Sequence, residues 1–366
     1  MPAYRRYWIL VLCALLFLPL VAGGFAKKKA ATDEQRNLAA APAMPHSAAA
    51  AIALPREIDA YLRDHFGLRA ALIHLHAVLT HQLLRSGNKN VLPGRDGWMF
   101  LRSDDTIRQS AGDLIREARV AGTADVIADA RDRLALDGVK LVFAATPNSA
   151  TIYPEFLPAR VANTTGRRTE YDAMLAALAG RGVRAVDLRP ALRAARAGGT
   201  VYLKHDTHWS PRGVVAGFDA MAAATGHADW QVDAERVLAP PVEVEGGDLA
   251  RLLATAREAT EEVQPLALPR KPVEFLVDSL FSVFRSTGGM PGGPSILVIG
   301  DSFTSGDFQP LVLRGAANFY FIHHHFCKFD WGWVEQFHPD EVWWMPTERQ
   351  MLCEAGARPA GLAAGR

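Results

Sequence analysis

The run ILVIG, at residues 296–300, is the sequence feature that most restricts the fold of this chain. Its first four side chains are all large and apolar, so it predicts a strand buried on both faces, as in a parallel sheet covered by helices. Further strands are predicted by the apolar stretches at 141–145, 183–192, 318–324 and 340–346. Because helical patterns alternate with these stretches, the sequence predicts an α/β fold with a mainly parallel sheet flanked by helices.

The N-terminus predicts a membrane segment that exports the rest of the chain. Arg5 and Arg6 precede an apolar run at residues 7–25, which is long enough to cross a bilayer. A long signal-peptide core has nearly the same pattern, but we favour an uncleaved signal-anchor over a cleaved signal peptide. The expected organisation is a signal-anchor or signal peptide at 1–26, a linker at 27–54, a main domain at 55–355 that opens with a helical lead-in at 55–92, and a tail at 356–366.

The charge balance argues against a nucleic-acid partner, because 40 Lys and Arg face 39 Asp and Glu with no basic stripe. Cysteines with metal-ligand spacing do not occur. The three histidines at 323–325 predict a polar cluster near the active cleft rather than a metal site, since neighbouring strand residues face opposite sides. We therefore expect neither a metal nor a cofactor. Cys327 and Cys353 are expected to be two buried thiols, with a disulfide as the alternative in an oxidising compartment.

Three segments place reactive side chains where predicted strands or loops end. ILVIGDSF offers Ser302, KHDTHWS offers Asp206 and His208, and AATPNS offers Asn148. A serine hydroxyl needs a base to take its proton, histidine titrates near neutrality, and a carboxylate orients the imidazole and stabilises its charge. The backbone N–H of Ser302 and the amide of Asn148 are candidate donors to an oxyanion. Each segment alone is typical of a turn or a helix cap, but together they predict a Ser-His-Asp triad.

These segments resemble the SGNH hydrolase superfamily and, more narrowly, the AlgJ/AlgX-like family of O-acetyltransferases. The resemblance runs from about residue 55 to 351, and its Asp-x-His element precedes the serine, a permuted order relative to ordinary SGNH esterases. It also includes the blocks PREIDAYLRDHFGLR, GRDGWMFL, TPNSATIYPEFLP and GGDLARLL. The resemblance implies an SGNH hydrolase-like, flavodoxin-like sheet, with Ser302 as the acetyl-accepting nucleophile, His208 as the base and Asp206 as its partner. Ser149 stands where we expect lysine in many members, so a lysine-dependent contact is not carried over.

The same resemblance implies acyl transfer in two displacements, in which Ser302 takes an acetyl group and a sugar hydroxyl then removes it. The implied acceptor is an exported polysaccharide, such as alginate, cellulose or a related exopolysaccharide. A multi-pass membrane O-acyltransferase is the implied acetyl-donor partner, and the periplasm, with anchoring to the inner membrane, is the implied location. A carbohydrate acetylesterase with the same triad, and a non-catalytic polysaccharide-binding or scaffold protein, remain as alternatives.

Asn148, Trp209 and Tyr153 form the expected oxyanion- and substrate-binding set. A polymer site needs aromatic faces for sugar rings, and Trp209 is the favoured one because it adjoins His208. The other tryptophans considered for this role are Trp98, Trp331 and Trp333.

Overall fold

A computed structural model describes residues 39–65, 87–159 and 166–363 of the chain, with the isolated positions 4, 7–9, 11–13, 75–76, 79 and 161. The predicted membrane segment therefore lies, apart from a few single residues, outside the described part. The same holds for the first part of the predicted linker, residues 27–38, and for much of the helical lead-in. None of the described helices is both long enough and apolar enough to cross a bilayer.

Within the described residues the strands are β1 (Val91–Pro93), β2 (Met99–Leu101), β3 (Lys140–Phe143), β4 (Val242–Val244), β5 (Glu261–Val263), β6 (Glu274–Val277), β7 (Val283–Thr287), β8 (Ser295–Gly300), β9 (Asn318–His323) and β10 (Glu341–Met345). The α-helices are α1 (Ala48–Asp64), α2 (Thr106–Ser110), α3 (Glu117–Ala135), α4 (Ser149–Ile152), α5 (Glu170–Ala179), α6 (Arg189–Ala195), α7 (Pro211–Thr225), α8 (Ala234–Val237), α9 (Asp248–Leu252), α10 (Phe308–Val312) and α11 (Gly332–Phe337).

The central sheet has six strands in the order β3-β10-β8-β9-β7-β6. The first four strands are parallel to one another, which confirms the prediction of a mainly parallel sheet. β7 and β6 run antiparallel and form one edge, so the sheet is mixed. β8, which contains the ILVIG run, pairs along its whole length with β9 and lies in the interior of the sheet.

Alternate residues of β8 supply two separate hydrophobic clusters, one on each face of the sheet. Ile296 and Val298 belong to a cluster with residues of α6, α7 and α10. Leu297 and Ile299 belong to a cluster with residues of α3, α5 and α11. All four side chains are fully buried. The result is a three-layer α/β/α arrangement, as the continuous apolar run predicts.

Two local predictions differ from the structure. The stretch at 183–192 forms no strand of the sheet, because it meets the edge strand β3 through one bridge between Phe143 and Ala185 and then turns into α6. The lead-in helix α1 begins at Ala48, inside the predicted linker, where the Ser47 hydroxyl caps it by accepting from the N–H of Ala50. Pro55, the predicted start, lies within this helix.

Cys327 and Cys353 form a disulfide, with their Cα atoms 5.0 Å apart. The expectation of two buried thiols is therefore wrong, and the alternative that the sequence left open is correct. Cys327 follows β9 and Cys353 follows β10, so the bond ties together the segments after the two strands that flank β8. A disulfide is typical of proteins that fold in an oxidising compartment.

A small insertion lies beside the main sheet. It contains the antiparallel pair β4–β5 and the short helix α9. Leu249, Ala250 and Leu253 pack against Val91 and Met99 of the β1–β2 hairpin in a third hydrophobic cluster. The insertion is thereby fixed to the rest of the domain on the side where α7 begins.

Candidate active site

Ser302 lies on a tight turn directly after β8. Asp301 is buried, and its carboxylate accepts the N–H of Phe303 at 3.0 Å and the N–H of Thr347, which follows β10, at 2.8 Å. A Cβ on Gly300 would stand 2.0 Å from the hydroxyl of Thr304, so the turn requires glycine there. Ser302 itself is exposed. Two parallel strands therefore hold the turn rigidly while its hydroxyl faces solvent.

The structure brings the three predicted triad residues together. The Nε2 atom of His208 is 2.8 Å from the Oγ atom of Ser302, a contact between residues 94 positions apart. The Nδ1 atom of His208 is 2.6 Å from the Oδ1 atom of Asp206. Because an ionised carboxylate only accepts hydrogen bonds, Nδ1 carries the proton and Nε2 is free to accept one from Ser302. This is the orientation that a general base requires.

The loop that carries Asp206 and His208 lies at the start of α7. Ser210 caps this helix, since its hydroxyl accepts the N–H of Gly213 at 3.3 Å. The N–H of Leu203 donates to the carbonyl of His208 at 3.2 Å and closes the loop. The sequence Ser210-Pro211 therefore starts the helix and fixes the point at which the loop that carries His208 enters it.

The charges around His208 favour its protonated form. Burial lowers the pKa of His208, but the hydrogen bond and negative charge of Asp206 outweigh burial, with help from Asp248, and raise the pKa above its usual value. Burial raises the pKa of Asp206, but the hydrogen bond and charge of His208 outweigh it and hold that pKa far below its usual range. Arg349 opposes the rise at His208. His208 is thus a stronger base than a free histidine.

Asp248, at the start of α9, is a carboxylate that we did not predict for the site. One of its oxygens is 4.0 Å from the Nδ1 atom of His208. Burial, followed by the negative charge of Asp206, raises the pKa of Asp248. The signal was present in the sequence as the GGDLARLL block, which carried the family resemblance but no assigned role.

Asp206, His208 and Asp248 also have the composition of a metal site, with one potential ligand atom from each lying within 4.8 Å of the others. Their hydrogen bonds account for these atoms without an ion. The separation of 2.6 Å between Nδ1 and Oδ1 is that of a strong charge-assisted hydrogen bond. The carboxylate oxygens of Asp248 both accept from Thr207, at 2.8 and 2.5 Å. We interpret the group as a hydrogen-bonded proton-transfer site.

Asn148 lies beyond the carboxyl end of β3, at the same end of the parallel strands as Ser302. Its backbone N–H donates to Glu348 at 2.7 Å, and its side-chain amide donates to the hydroxyl of Ser110 at 3.3 Å. Burial raises the pKa of Glu348 to about 7. The N–H and the side-chain amide of Asn148 therefore bond Glu348 and α2, its carbonyl accepts the N–H of Thr151 at 3.0 Å, and its role as an oxyanion donor stays a prediction.

Trp209 and Tyr153 lie in the protein interior, where a sugar ring cannot stack on them. The ring of Trp209 packs parallel to that of Phe308, and its Nε1 atom donates to the carbonyl of Phe303 at 3.0 Å. Trp209 thus supports the serine turn from below, contrary to the expectation that it contacts substrate. The hydroxyl of Tyr153 accepts the N–H of Val201 at 2.9 Å. Both side chains bury their apolar surface in the protein interior near the site.

The other tryptophans and the histidine cluster also have structural roles. Trp98 and Trp331 are buried, and Trp333 is partly buried against the second hydrophobic cluster. His324 accepts a hydrogen bond from Trp344 at 3.0 Å, and burial lowers its pKa to about 4. Its N–H donates to the carbonyl of Gly300 at 2.6 Å, so the predicted polar cluster does lie beside the serine turn.

Comparisons with known proteins identify the family of the chain. The family described as "SGNH hydrolase-like domain, acetyltransferase AlgX" matches residues 91–313. A probable alginate O-acetylase AlgJ from Pseudomonas aeruginosa is 31% identical over 160 residues, which cover 44% of this chain and 39% of that protein. The chain therefore spans well under two thirds of the length of this relative.

A solved structure with little sequence identity shows the same fold. PatB1 from Bacillus cereus superposes with a TM-score of 0.52 at 12% identity, covering 72% of this chain and 97% of that chain. The O-acetyltransferase domain of AlgJ from Pseudomonas putida has a TM-score of 0.48 at 22% identity, covering 72% of this chain and 92% of that chain.

Proposed function

The chain belongs to the AlgX-type family of SGNH hydrolase-like acetyltransferase domains, and on this premise we propose that it O-acetylates an exported polysaccharide through an acyl-enzyme on Ser302. The observation that carries the proposal is the pair of contacts from His208, 2.8 Å to Ser302 and 2.6 Å to Asp206. This geometry is suited to nucleophilic catalysis by a serine at neutral pH.

In the first displacement, Oγ of Ser302 attacks the acetyl carbonyl while Nε2 of His208 takes the hydroxyl proton. The tetrahedral oxyanion collapses, the donor's leaving group departs with the proton from His208, and an acetyl ester remains on Ser302. In the second displacement a sugar hydroxyl attacks this ester while His208 takes its proton. Collapse breaks the bond to Oγ, which regains the proton, and releases the acetylated sugar.

The backbone N–H of Ser302 is the first candidate donor to the oxyanion. No acceptor bonds this N–H within the described part of the chain, whereas the next three N–H groups are bonded to Asp301. Asn148 remains the second candidate, because one of the two protons on its amide nitrogen is not used by Ser110. Losing one such donor typically costs about 3 kcal/mol of transition-state stabilisation.

The family supports a proposal for the acceptor and for the donor. The relatives named as alginate O-acetylases support an acidic exopolysaccharide as the acceptor. We propose that a multi-pass membrane O-acyltransferase hands acetyl groups outward, and that the segment at 1–26 anchors this protein to the inner membrane beside it. Such tethering raises the effective concentration of the two partners. The disulfide between Cys327 and Cys353 supports a periplasmic location.

The full-length purified chain, incubated with a chromogenic acetyl ester with and without alginate oligosaccharides, tests this proposal. We expect acetylated oligosaccharide by mass spectrometry, and a loss of at least about 10³-fold in kcat for Ser302→Ala with an unchanged Tm. Ser103→Ala, in the turn between β2 and α2 and without a hydrogen bond to the triad within the described residues, is the matched control. Acetate release that ignores the oligosaccharide identifies an acetylesterase instead. Equal activity of the wild type and Ser302→Ala would leave the non-catalytic binding or scaffold role.

A further inference from the structure

We propose that Gly247 and Asp248 form a positioning element for the triad, which fixes Asp206 and Thr207 so that His208 stays directed at Ser302. This inference rests on the proposed function and extends it to a part of the chain outside the triad. Within the described residues neither one bonds Ser302, so both act through Asp206 and His208. Three features support this role: the two bonds to Thr207, the bond to Asp206, and the charge beside His208.

The carboxylate of Asp248 clamps the residue between the two catalytic partners. It accepts the backbone N–H of Thr207 at 2.8 Å and the hydroxyl of Thr207 at 2.5 Å. Two bonds to one residue fix both its backbone and its side chain. Since Thr207 is flanked by Asp206 and His208, this clamp sets the direction in which both neighbours leave the loop.

The backbone of Asp248 also binds Asp206 directly. Its N–H donates to the Oδ2 atom of Asp206 at 2.9 Å, while the Oδ1 atom accepts from His208. The two oxygens of Asp206 are thus assigned to different partners, and the carboxylate cannot rotate away from the imidazole without losing a bond. A Cβ on Gly247 would stand 1.9 Å from Oδ2 of Asp206. Only glycine lets this backbone approach so closely, and because the φ of Gly247 is −76°, the requirement is purely steric.

The insertion that carries Asp248 holds the same loop at a second point. Glu261 of β5 accepts the N–H groups of Lys204 and His205 at 2.8 and 3.1 Å. The N–H of Ala250 in α9 donates to the carbonyl of His205 at 3.2 Å. Leu249 and Ala250 are fully buried, so α9 is a fixed support. Side-chain carboxylates of the insertion therefore accept the N–H groups of Lys204, His205 and Thr207 in this loop.

Three charged groups face His208: Asp206 and Asp248, which favour the imidazolium, and Arg349, which disfavours it. The charge of Asp248, 4.0 Å from Nδ1, gives the positioning element an electrostatic effect that a purely structural support would lack. This effect separates the two roles experimentally. Asn at position 248 keeps the shape and can bond Thr207 with the hydroxyl reversed, but it lacks the charge.

The test measures kcat/KM against pH for the full chain and for three variants. Asp248→Asn should lower the midpoint of the acidic limb by roughly 0.5 to 1 pH unit, since a unit charge at this distance in a watery site has about that effect. Asp248→Ala, which also releases Thr207, should lower kcat/KM by about 10- to 100-fold, mainly through kcat. Gly247→Ala should displace Asp206 and approach the loss expected for Asp206→Ala, of order 10³-fold.

Matched controls are Asp278→Asn, an exposed carboxylate with no bonded partner within the described residues, and Gly122→Ala, where an added Cβ meets nothing within 4 Å. All variants are compared by Tm. An Asp248→Asn profile that superposes on the wild type, or a Gly247→Ala variant within twofold of it, would overturn the proposal. An NMR titration of the His208 ring in wild type and Asp248→Asn reads the same shift without any turnover. It therefore tests the inference even if the proposed acetyl transfer fails.

Discussion

The two halves of the site are held in place in different ways. Ser302 sits on a turn between parallel strands, where Asp301 binds one N–H of the turn and one N–H after β10. Asp206 and His208 sit on a loop outside the sheet, where Asp248 and Glu261 satisfy the backbone. The proposed nucleophile is thus supported by the hydrophobic core, and the proposed base by a network of polar contacts. Substitution of the residue that anchors the serine turn should cost stability together with activity, whereas substitutions in the second half should cost mainly activity.

Asp206→Ala, in the loop held by polar contacts, should give the largest loss of activity. Without the carboxylate, the imidazole loses its orientation and the partner of its positive form, so kcat should fall by about 10³- to 10⁴-fold. Asp206 lies in a partly exposed loop, so the Tm should change by no more than a few degrees. Steady-state kinetics and differential scanning calorimetry check both. A variant that unfolds would show that the loop is needed for the fold, which contradicts the distinction drawn above.

Asp301→Ala should give an intermediate effect in the sheet half. It leaves the N–H groups of Phe303 and Thr347 without acceptors in the interior, so the free energy of unfolding should fall by about 3 kcal/mol. The kcat should also fall, because the serine turn is held less firmly. Denaturant unfolding measures the first and ester hydrolysis the second. Asp307→Ala, which removes the ion pair with Arg270 on the surface, is the control and should stay within about 1 kcal/mol of the wild type. Full stability in Asp301→Ala would contradict the proposed anchoring.

The smallest effect is expected from Arg349→Gln, which sharpens the electrostatic side of the comparison. The guanidinium of Arg349 lies over the ring of Phe303, 5.1 Å from its centroid, and opposes protonation of His208. Removing this charge should raise the pKa of His208 further and move the acidic limb of kcat/KM upward by roughly half a pH unit. Arg314→Gln, an exposed arginine after α10, is the control. A downward shift would contradict the proposed electrostatics of His208. Loss of a positive charge should raise its pKa, whereas loss of a negative charge, as in Asp248→Asn, should lower it.

The pKa shifts of His208 and Asp206 also determine how the stability of the fold changes with pH. The pKa of His208 is raised in the folded protein, so its contribution to stability is complete below the unfolded value near 6.5 and is lost as the pH rises through the folded value. The pKa of Asp206 is lowered, so its contribution is present above about 4 and is lost as the pH falls. Activity needs neutral His208, and therefore rises with pH while the contribution of His208 to stability declines.

The sheet half could be predicted from the sequence because its signal is local. A continuous apolar run followed by Gly-Asp-Ser specifies a buried strand and a turn, and β8 and Ser302 lie where that pattern places them. Asp-x-His predicted the contact between His208 and Asp206 in the same way, since two residues in one short loop are neighbours by sequence.

The supports of the polar half could not be predicted, because they join distant segments. The N–H of Asp248 reaches Asp206 across 42 positions, and Glu261 reaches Lys204 across 57. The interior position of Trp209 was also missed, because its adjacency to His208 does not reveal that α7 turns the ring beneath the serine turn. Cys327 and Cys353 gave no spacing from which a bond could be derived, and only the strand order brings them together.

The strand order also determines when the site can form during biosynthesis. β10 is the last strand in the described chain, yet it lies in the interior of the sheet, between β3 and β8. The parallel strands cannot all pair until the chain as far as Thr347 is available, because the N–H of Thr347 completes the bonds of the Asp301 carboxylate. A chain that stops earlier carries Ser302, His208 and Asp206 but lacks the interior strand that aligns the serine turn. We therefore expect no acyl-transfer activity until synthesis and folding are nearly complete.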